Sequence, residues 1–147
     1  MPLINNTKQN ESRRLRVKKE YKVKVRWGDT DAAGIVYYPN FYKWMDEATH
    51  EFFTSAGYST SKLFMDEQIG IPLLETHCEY KSPLFFEDEI CVTTTIELVK
   101  SKVFRAAHII TRGEQLIAEG YELRAWAAFK DGAKAIEIPE EVKQKIM

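Results

Sequence analysis

The chain has 147 residues, the size of one domain, with 44% hydrophobic and 29% charged residues, enough for an ordinary core without staples. The 21 basic and 22 acidic residues leave a formal charge of −1, which excludes a strongly basic nucleic-acid binder. That sum hides a division: residues 1–26 hold nine basic and two acidic residues, net +7, and the other 121 hold 12 and 20, net −8.

No apolar run reaches the roughly 18 residues of a membrane span. The opening MPLINNTKQNESRR has a basic end but no apolar stretch of a signal peptide, so the expectation is a cytoplasmic protein. Cys78 and Cys91 form neither a disulfide framework nor a CxxC motif and are read as buried thiols.

Residues 1–18 are polar and basic without a sustained period, and are read as a loosely docked arm. Residues 19–147 form one domain. Tyr21, Val23, Val25 and Trp27 alternate with Lys22, Lys24 and Arg26, which predicts a half-buried strand. Gly28–Asn40 is a loop. A helix follows, with Asn40 as its expected N-cap and Gly57 past its end. Phe41, Trp44, Met45, Ala48 and Phe52 form its apolar stripe. Ser61–Gln68 is a short second helix, closed by Gly70. Four strands are then expected, over Ile71–Lys81, Glu89–Lys100, Lys102–Thr111 and Gln115–Phe129, with a hairpin turn at Arg112-Gly113-Glu114. From Pro139 the tail makes one or two helical turns. The class is α+β: an antiparallel five-stranded sheet with one face covered by the long helix.

Several catalytic arrangements are absent: no GxSxG, no phosphate loop, no GxGxxG. His50, His77 and His108 are not spaced as metal ligands, so no metal site is expected and each is read as packed or on a polar face. The loop GDTDAAGIVYYPN remains. It carries two carboxylates, Asp29 and Asp31, and ends at a helix N-terminus, where free N–H groups can hold a developing oxyanion. A carboxylate beside them could act as base or nucleophile in acyl transfer to water. The same residues also satisfy plain turn chemistry, and the residues alone leave both readings open.

WGDTDAAGIVYYPNFYKWMDEATHEFF resembles the signature of the hotdog-fold acyl-CoA thioesterases, closest to the 4-hydroxybenzoyl-CoA thioesterase branch. The pattern D-x-D-x-x-G-[IV]-V-[YW]-[YH]-x-N-[FY] runs from Asp29 to Phe41, and the likeness extends over about Lys19 to Pro139. It implies a curved antiparallel sheet wrapped around one long helix, in dimers with interfacial active sites that pair into tetramers. It implies hydrolysis of an acyl-CoA thioester, an aromatic acyl group favoured and a short aliphatic one open, with no cofactor. The second acid of the motif, Asp31, is then the catalytic carboxylate, attacking the carbonyl or activating water. The Tyr38 backbone N–H polarises that carbonyl. Gly34 permits close approach, and Tyr37 walls the acyl pocket together with Phe41 and Trp44. Asp29 organises the loop. Ile71, before Pro72, stands where the branch has a threonine that positions the attack. Tyr38 stands where the Tol–Pal-associated branch often has histidine, which favours the aryl side. Lys100, Ser101 and Lys102, with Arg105, match the turn that holds the CoA phosphates. From another class, a non-catalytic acyl-CoA-binding module of the same fold is the alternative.

Overall fold

The computed structural model describes residues 16–147, so most of the expected arm, residues 1–15, lies outside the described residues. Strand β1 (Lys19–Lys24) has the expected alternation, with Tyr21 and Val23 turned inward. It ends earlier than the pattern suggests. Val25 is fully buried, but Trp27 opens a short 3₁₀ turn (Trp27–Asp29) and is 78% exposed, so it does not join the inner face. The cause is local: Asp29 Oδ2 accepts the Arg26 N–H at 2.8 Å and Thr30 Oγ1 donates to the Trp27 carbonyl at 2.7 Å. Such short side-chain bonds compete with a sheet ladder.

Helix α1 (Pro39–Ser55) starts with a proline in its first turn, where a missing N–H costs nothing. Gly57, at φ 95°, is the left-handed residue beyond its end, as expected. Helix α2 (Thr60–Glu67) is closed by Gln68 in the left-handed region, not by Gly70. Gly70 instead lies in strand β2 (Ile69–Gly70), where a Cβ would come within 2.8 Å of the Phe129 ring.

The second half holds β3 (Leu73–Tyr80), β4 (Glu89–Lys100), β5 (Val103–Arg112), β6 (Gln115–Ala125), β7 (Ala127–Ala128), β8 (Lys134–Ala135) and helix α3 (Glu140–Ile146). The expected Ile71–Lys81 strand is broken at Pro72, which has no N–H for a ladder. The expected Gln115–Phe129 strand is broken at Trp126, whose N–H bonds the Lys102 carbonyl at 2.9 Å. These breaks create a small second sheet, β2-β7-β8, which the alternation does not announce. The main sheet has the order β1-β4-β5-β6-β3, antiparallel throughout. Five antiparallel strands packed on one long helix match the expected hotdog architecture.

The core is two apolar clusters with a polar layer between them. Around the start of α1, Phe41, Trp44, Met45 and Ala48 pack on Val25, Val36, Leu84, Ile90, Val92, Ile110 and Ile117. Around its end, Phe52 and Phe53 pack on Ile71, Ile96, Phe104, Ala106 and Trp126. Thr49, Thr94, His108, Glu122 and Arg124 form the buried polar residues at the middle. His108 meets Thr94 through Nδ1 at 2.8 Å and Glu122 through Nε2 at 3.1 Å, and Thr49 donates to the same Glu122 carboxylate. Arg124 Nη2 donates to Glu122 at 2.6 Å and to Asp46 of α1 at 2.7 Å, and Nη1 donates to the Ile71 carbonyl at 2.8 Å.

Removing one partner of a buried ion pair leaves the other charge without compensation. The Arg124→Met variant is therefore expected to lose about 3–5 kcal/mol of stability, read by urea unfolding. The His50 hydrogen bond, with the Arg124 guanidinium and against the effect of burial, holds the Asp46 carboxyl down at about 2. Burial pushes Glu122 up, but hydrogen bonds from His108, Arg124 and Thr49 outweigh it and the net shift is downward. Both folded values lie below the ordinary 3.8 and 4.5, so their stabilisation is present above those values and is lost as pH falls through the folded ones. Melting temperature should drop between pH 4.5 and about 2, with a shallower slope in Asp46→Asn.

Candidate active site

The loop from Gly28 to Tyr38 is built almost entirely by its own backbone. Asp31 N–H bonds the Ile35 carbonyl and Gly34 N–H bonds the Asp31 carbonyl, each at 3.0 Å, and Thr30 bridges Val36. This small hairpin needs a positive φ at Gly34, which is 80°. Asp31 Oδ1 accepts the Ala33 N–H at 2.9 Å, and the residue is otherwise exposed. That single bond orients the carboxylate while leaving it open to solvent.

Asp29 has the other role. Its carboxylate takes the Arg26 N–H, while its carbonyl takes the Tyr37 N–H at 2.8 Å and the Asn40 side-chain amide at 2.9 Å. Asn40 is therefore not the N-cap that the sequence suggests. It lies inside α1, after Pro39, and its amide points back to pin the loop. The residue preceding the helix is Tyr38, which makes no side-chain cap. Among the described residues no acceptor takes the Tyr38 N–H. An unpaired N–H at a helix start, on the same loop as an oriented carboxylate, can stabilise negative charge on a carbonyl oxygen while the carboxylate delivers the attack.

Two further groups frame the loop. Tyr80 donates to the Tyr38 carbonyl at 3.3 Å, and its ring stands edge-on to Phe41. Desolvation is the main cause that raises the Tyr80 phenol above its ordinary range, so it is a donor at neutral pH. Ile35, Val36, Tyr38, Tyr80, Pro83 and Leu84 line an open groove of about 300 Å³. Tyr37 and Tyr38 are exposed and contact each other edge-on, whereas Phe41 and Trp44 are core.

The structure gathers Asp31, Gly34, Tyr37 and Tyr38 but not the remaining candidates. The loop lies at the Glu89 end of β4, because Lys24 pairs with Glu89 and Val25 bonds Asp88. Lys100, Ser101 and Lys102 form the exposed turn at the opposite end, roughly 35 Å along the strand. Ile71 sits in the core cluster of that far end. Arg105 is engaged on the outer face, stacked 4.6 Å over Tyr121 and 3.8 Å from Glu97. Among the described residues no group of three or more His, Cys, Asp or Glu is placed to hold a metal.

Glu122 and Arg124 went unread in the sequence, though a signal existed. Thr94, His108, Glu122 and Arg124 all occupy inward positions of their strands, where alternation calls for apolar residues. An Asn40→Asp substitution separates a cap from a donor, since aspartate caps as well as asparagine but cannot donate. It should destabilise by about 1 kcal/mol or more in denaturant unfolding, and Asn40→Ala should do the same.

Residues 25–146 match the thioesterase-like superfamily. A putative esterase of Aquifex aeolicus is 33% identical over 122 residues, covering 83% of this chain and 92% of its own. The 4-hydroxybenzoyl-CoA thioesterase of Pseudomonas sp. strain CBS-3 is 29% identical over 125 residues, covering 79% and 88%. The solved structure of a gentisyl-coenzyme A thioesterase is 44% identical, with a TM-score of 0.79 over 88% of this chain and 100% of that one.

Proposed function

The chain belongs to the thioesterase-like superfamily and is an acyl-CoA thioesterase of hotdog fold, and from that premise we propose that it hydrolyses an aromatic acyl-CoA at the Asp31 loop. The observation that carries this reading is the pairing of an exposed, oriented carboxylate with the open N–H of Tyr38 on one short loop. Asp31 attacks the thioester carbonyl, or takes the proton of a water that does. Charge on the carbonyl oxygen is met by the Tyr38 N–H, the C–S bond breaks, and the CoA thiolate leaves. In the first route water then cleaves the acyl–Asp31 anhydride to release the acid and restore the carboxylate. In the second the proton held by Asp31 passes to the thiolate as the acid departs. The chemistry proposed needs no cofactor. The preference for an aromatic acyl group is supported by relatives whose names specify hydroxybenzoyl and gentisyl groups, and by Tyr37 and Tyr38 exposed beside the groove. Two free cysteines agree with a cytoplasmic setting.

The working unit in this proposal is a dimer with sites between protomers, with tetramers built from it. The support is that one chain separates Asp31 from Ile71 and Lys100–Lys102. Strand β3 is an edge of the sheet, and Leu73, Leu74 and Tyr80 on it are exposed. Two-fold antiparallel pairing of β3 with its copy sets the Leu73 end of one protomer against the Tyr80 end of the other. That brings the Ile71 half of one protomer to the Tyr38 loop of its partner, where Lys100, Ser101 and Lys102 would meet the CoA phosphates.

Hydrolysis of a panel of acyl-CoA esters tests the chemistry: Asp31→Asn should fold normally and lose about three orders of magnitude in kcat. Mixing tests the shared site. Asp31→Asn chains co-refolded with Lys100→Glu/Lys102→Glu chains should regain roughly a quarter of wild-type activity at low substrate, since random pairing gives half heterodimers with one intact site each. No gain over the separate variants would place both groups in one chain's site.

A further inference from the structure

The Gly28–Tyr38 loop has few ties to the rest of the protein. Beyond its flanks, among the described residues, two hydrogen bonds reach it: the Leu84 carbonyl accepts the Val36 N–H at 2.9 Å, and Tyr80 bonds the Tyr38 carbonyl. Both come from the end of β3 and the segment after it. How well the open N–H of Tyr38 is placed thus depends on how firmly residues 82–88 are held.

The backbone of that segment is tied to Val25, which bonds Asp88 at 2.8 Å and Glu87 at 3.0 Å, and to the Ile117 carbonyl through the Ser82 N–H at 3.2 Å, and one side chain links its two ends. Arg112, at the end of β5, donates from Nη1 to Asp88 Oδ2 at 2.6 Å and to the Pro83 carbonyl at 3.4 Å, and from Nη2 to Gln115 Oε1 at 2.7 Å. Asp88 Oδ2 also accepts the Phe85 N–H at 2.8 Å, so the carboxylate closes the turn that follows Leu84. Gln115 passes its amide to Ser82 Oγ at 3.2 Å. The turn includes Glu87 at φ 71°, a conformation that needs surrounding bonds to persist in a residue with a Cβ. The Leu84 side chain, 1% exposed, packs with Val36 and Phe41 in the cluster under the loop.

We propose that Arg112, acting through Asp88 and the Ser82–Asp88 turn, is a positioning residue for hydrolysis: it fixes the Leu84 carbonyl that seats Val36, and through Val36 the donor of Tyr38. The inference rests on the reading of Tyr38 as the oxyanion donor and of Asp31 as the reacting carboxylate. Arg112 touches no substrate. Its charge serves a planar, three-acceptor clamp that a lysine, with a point charge, fills only in part. Displacing a positioned donor by about 1 Å lowers a rate by up to roughly a hundredfold without loss of binding. The signature is therefore a fall in kcat at nearly constant KM.

The test uses the full chain with 4-hydroxybenzoyl-CoA and gentisyl-CoA, under conditions where every variant is folded by circular dichroism. Arg112→Gln should lower kcat by about tenfold or more with KM within about twofold. Arg112→Lys should recover part of that loss. Asp88→Asn should add little when combined with Arg112→Gln, because both break one unit. Amide exchange should accelerate at Val36 and stay unchanged at Val92 in mid-sheet. A wild-type kcat in Arg112→Gln, with Asp31→Asn inactive, would overturn the positioning role alone. Full activity in Asp31→Asn would overturn the underlying reading of the site and this inference with it.

Discussion

The Arg124 guanidinium is the hub on which the rest of the molecule depends. It joins β6 to α1 through Asp46, to the Ile71 carbonyl at the Pro72 break, and to its own strand through Glu122. Asp46 in turn meets His50, which contacts Thr60 at the start of α2. One buried cation therefore sets where the long helix lies on the sheet, where the β2–β3 chain turns, and where the short helix begins. A hydrophobic contact would not fix these relations, because apolar surfaces slide at small cost. Buried hydrogen-bonded charges do not, since every misplacement strands a desolvated group. The helix is also held close at Gly120, where a Cβ would come within 2.6 Å of Met45 Sδ.

The main architecture was legible because its pattern is repetitive. Alternation along β1 and β4 and the 3.6-residue stripe of α1 report which face is buried, and burial decides the element. What stayed illegible depends on single bonds. Asn40 has the right residue type and place for a cap, yet its amide is claimed by the Asp29 carbonyl of a loop eleven residues earlier in the chain. Trp27 continues the β1 alternation, yet one carboxylate in the next turn draws the backbone out of register. The breaks at Pro72 and Trp126 make a second sheet only because both fall at matching points of paired strands. Glu122 and Arg124 are visible in principle as polar residues on the inward phase, but composition alone reads charge as surface.

The charge split takes on a physical meaning at the site. The domain from residue 19 onward holds 16 basic and 21 acidic residues, net −5, so the acyl-CoA of the proposed reaction, with its several phosphates, would need local cations to receive it. The lysines of the Lys100–Lys102 turn are exposed and lie a full strand length from the Asp31 loop of their own chain. Lys22 and Lys24 of β1 are interleaved with Glu20 and Glu89 along one groove, so their field is largely cancelled. A single chain thus holds Asp31 and the Lys100–Lys102 turn at opposite ends of the sheet. In the proposed two-fold dimer, reversing one copy along β3 would exchange the poles without any new residue.

The Asp31 loop is braced against the sheet from one side. Its inward ties come from Leu84 and Tyr80, both at the Tyr80 end of the edge strand. The face carrying Asp31, Tyr37 and Tyr38 is left exposed. In a hairpin whose other bonds are its own or come from its flanks, a brace on the inner side fixes position while the outer side stays open to solvent. Rigidity therefore has to be imported from the sheet, and the Ser82–Asp88 turn is the element that spans from the β5–β6 hairpin to the loop. In the proposed mechanism the Tyr38 N–H has to be in place before charge develops, so the bonds that hold Val36 would bear on the rate without touching the thioester.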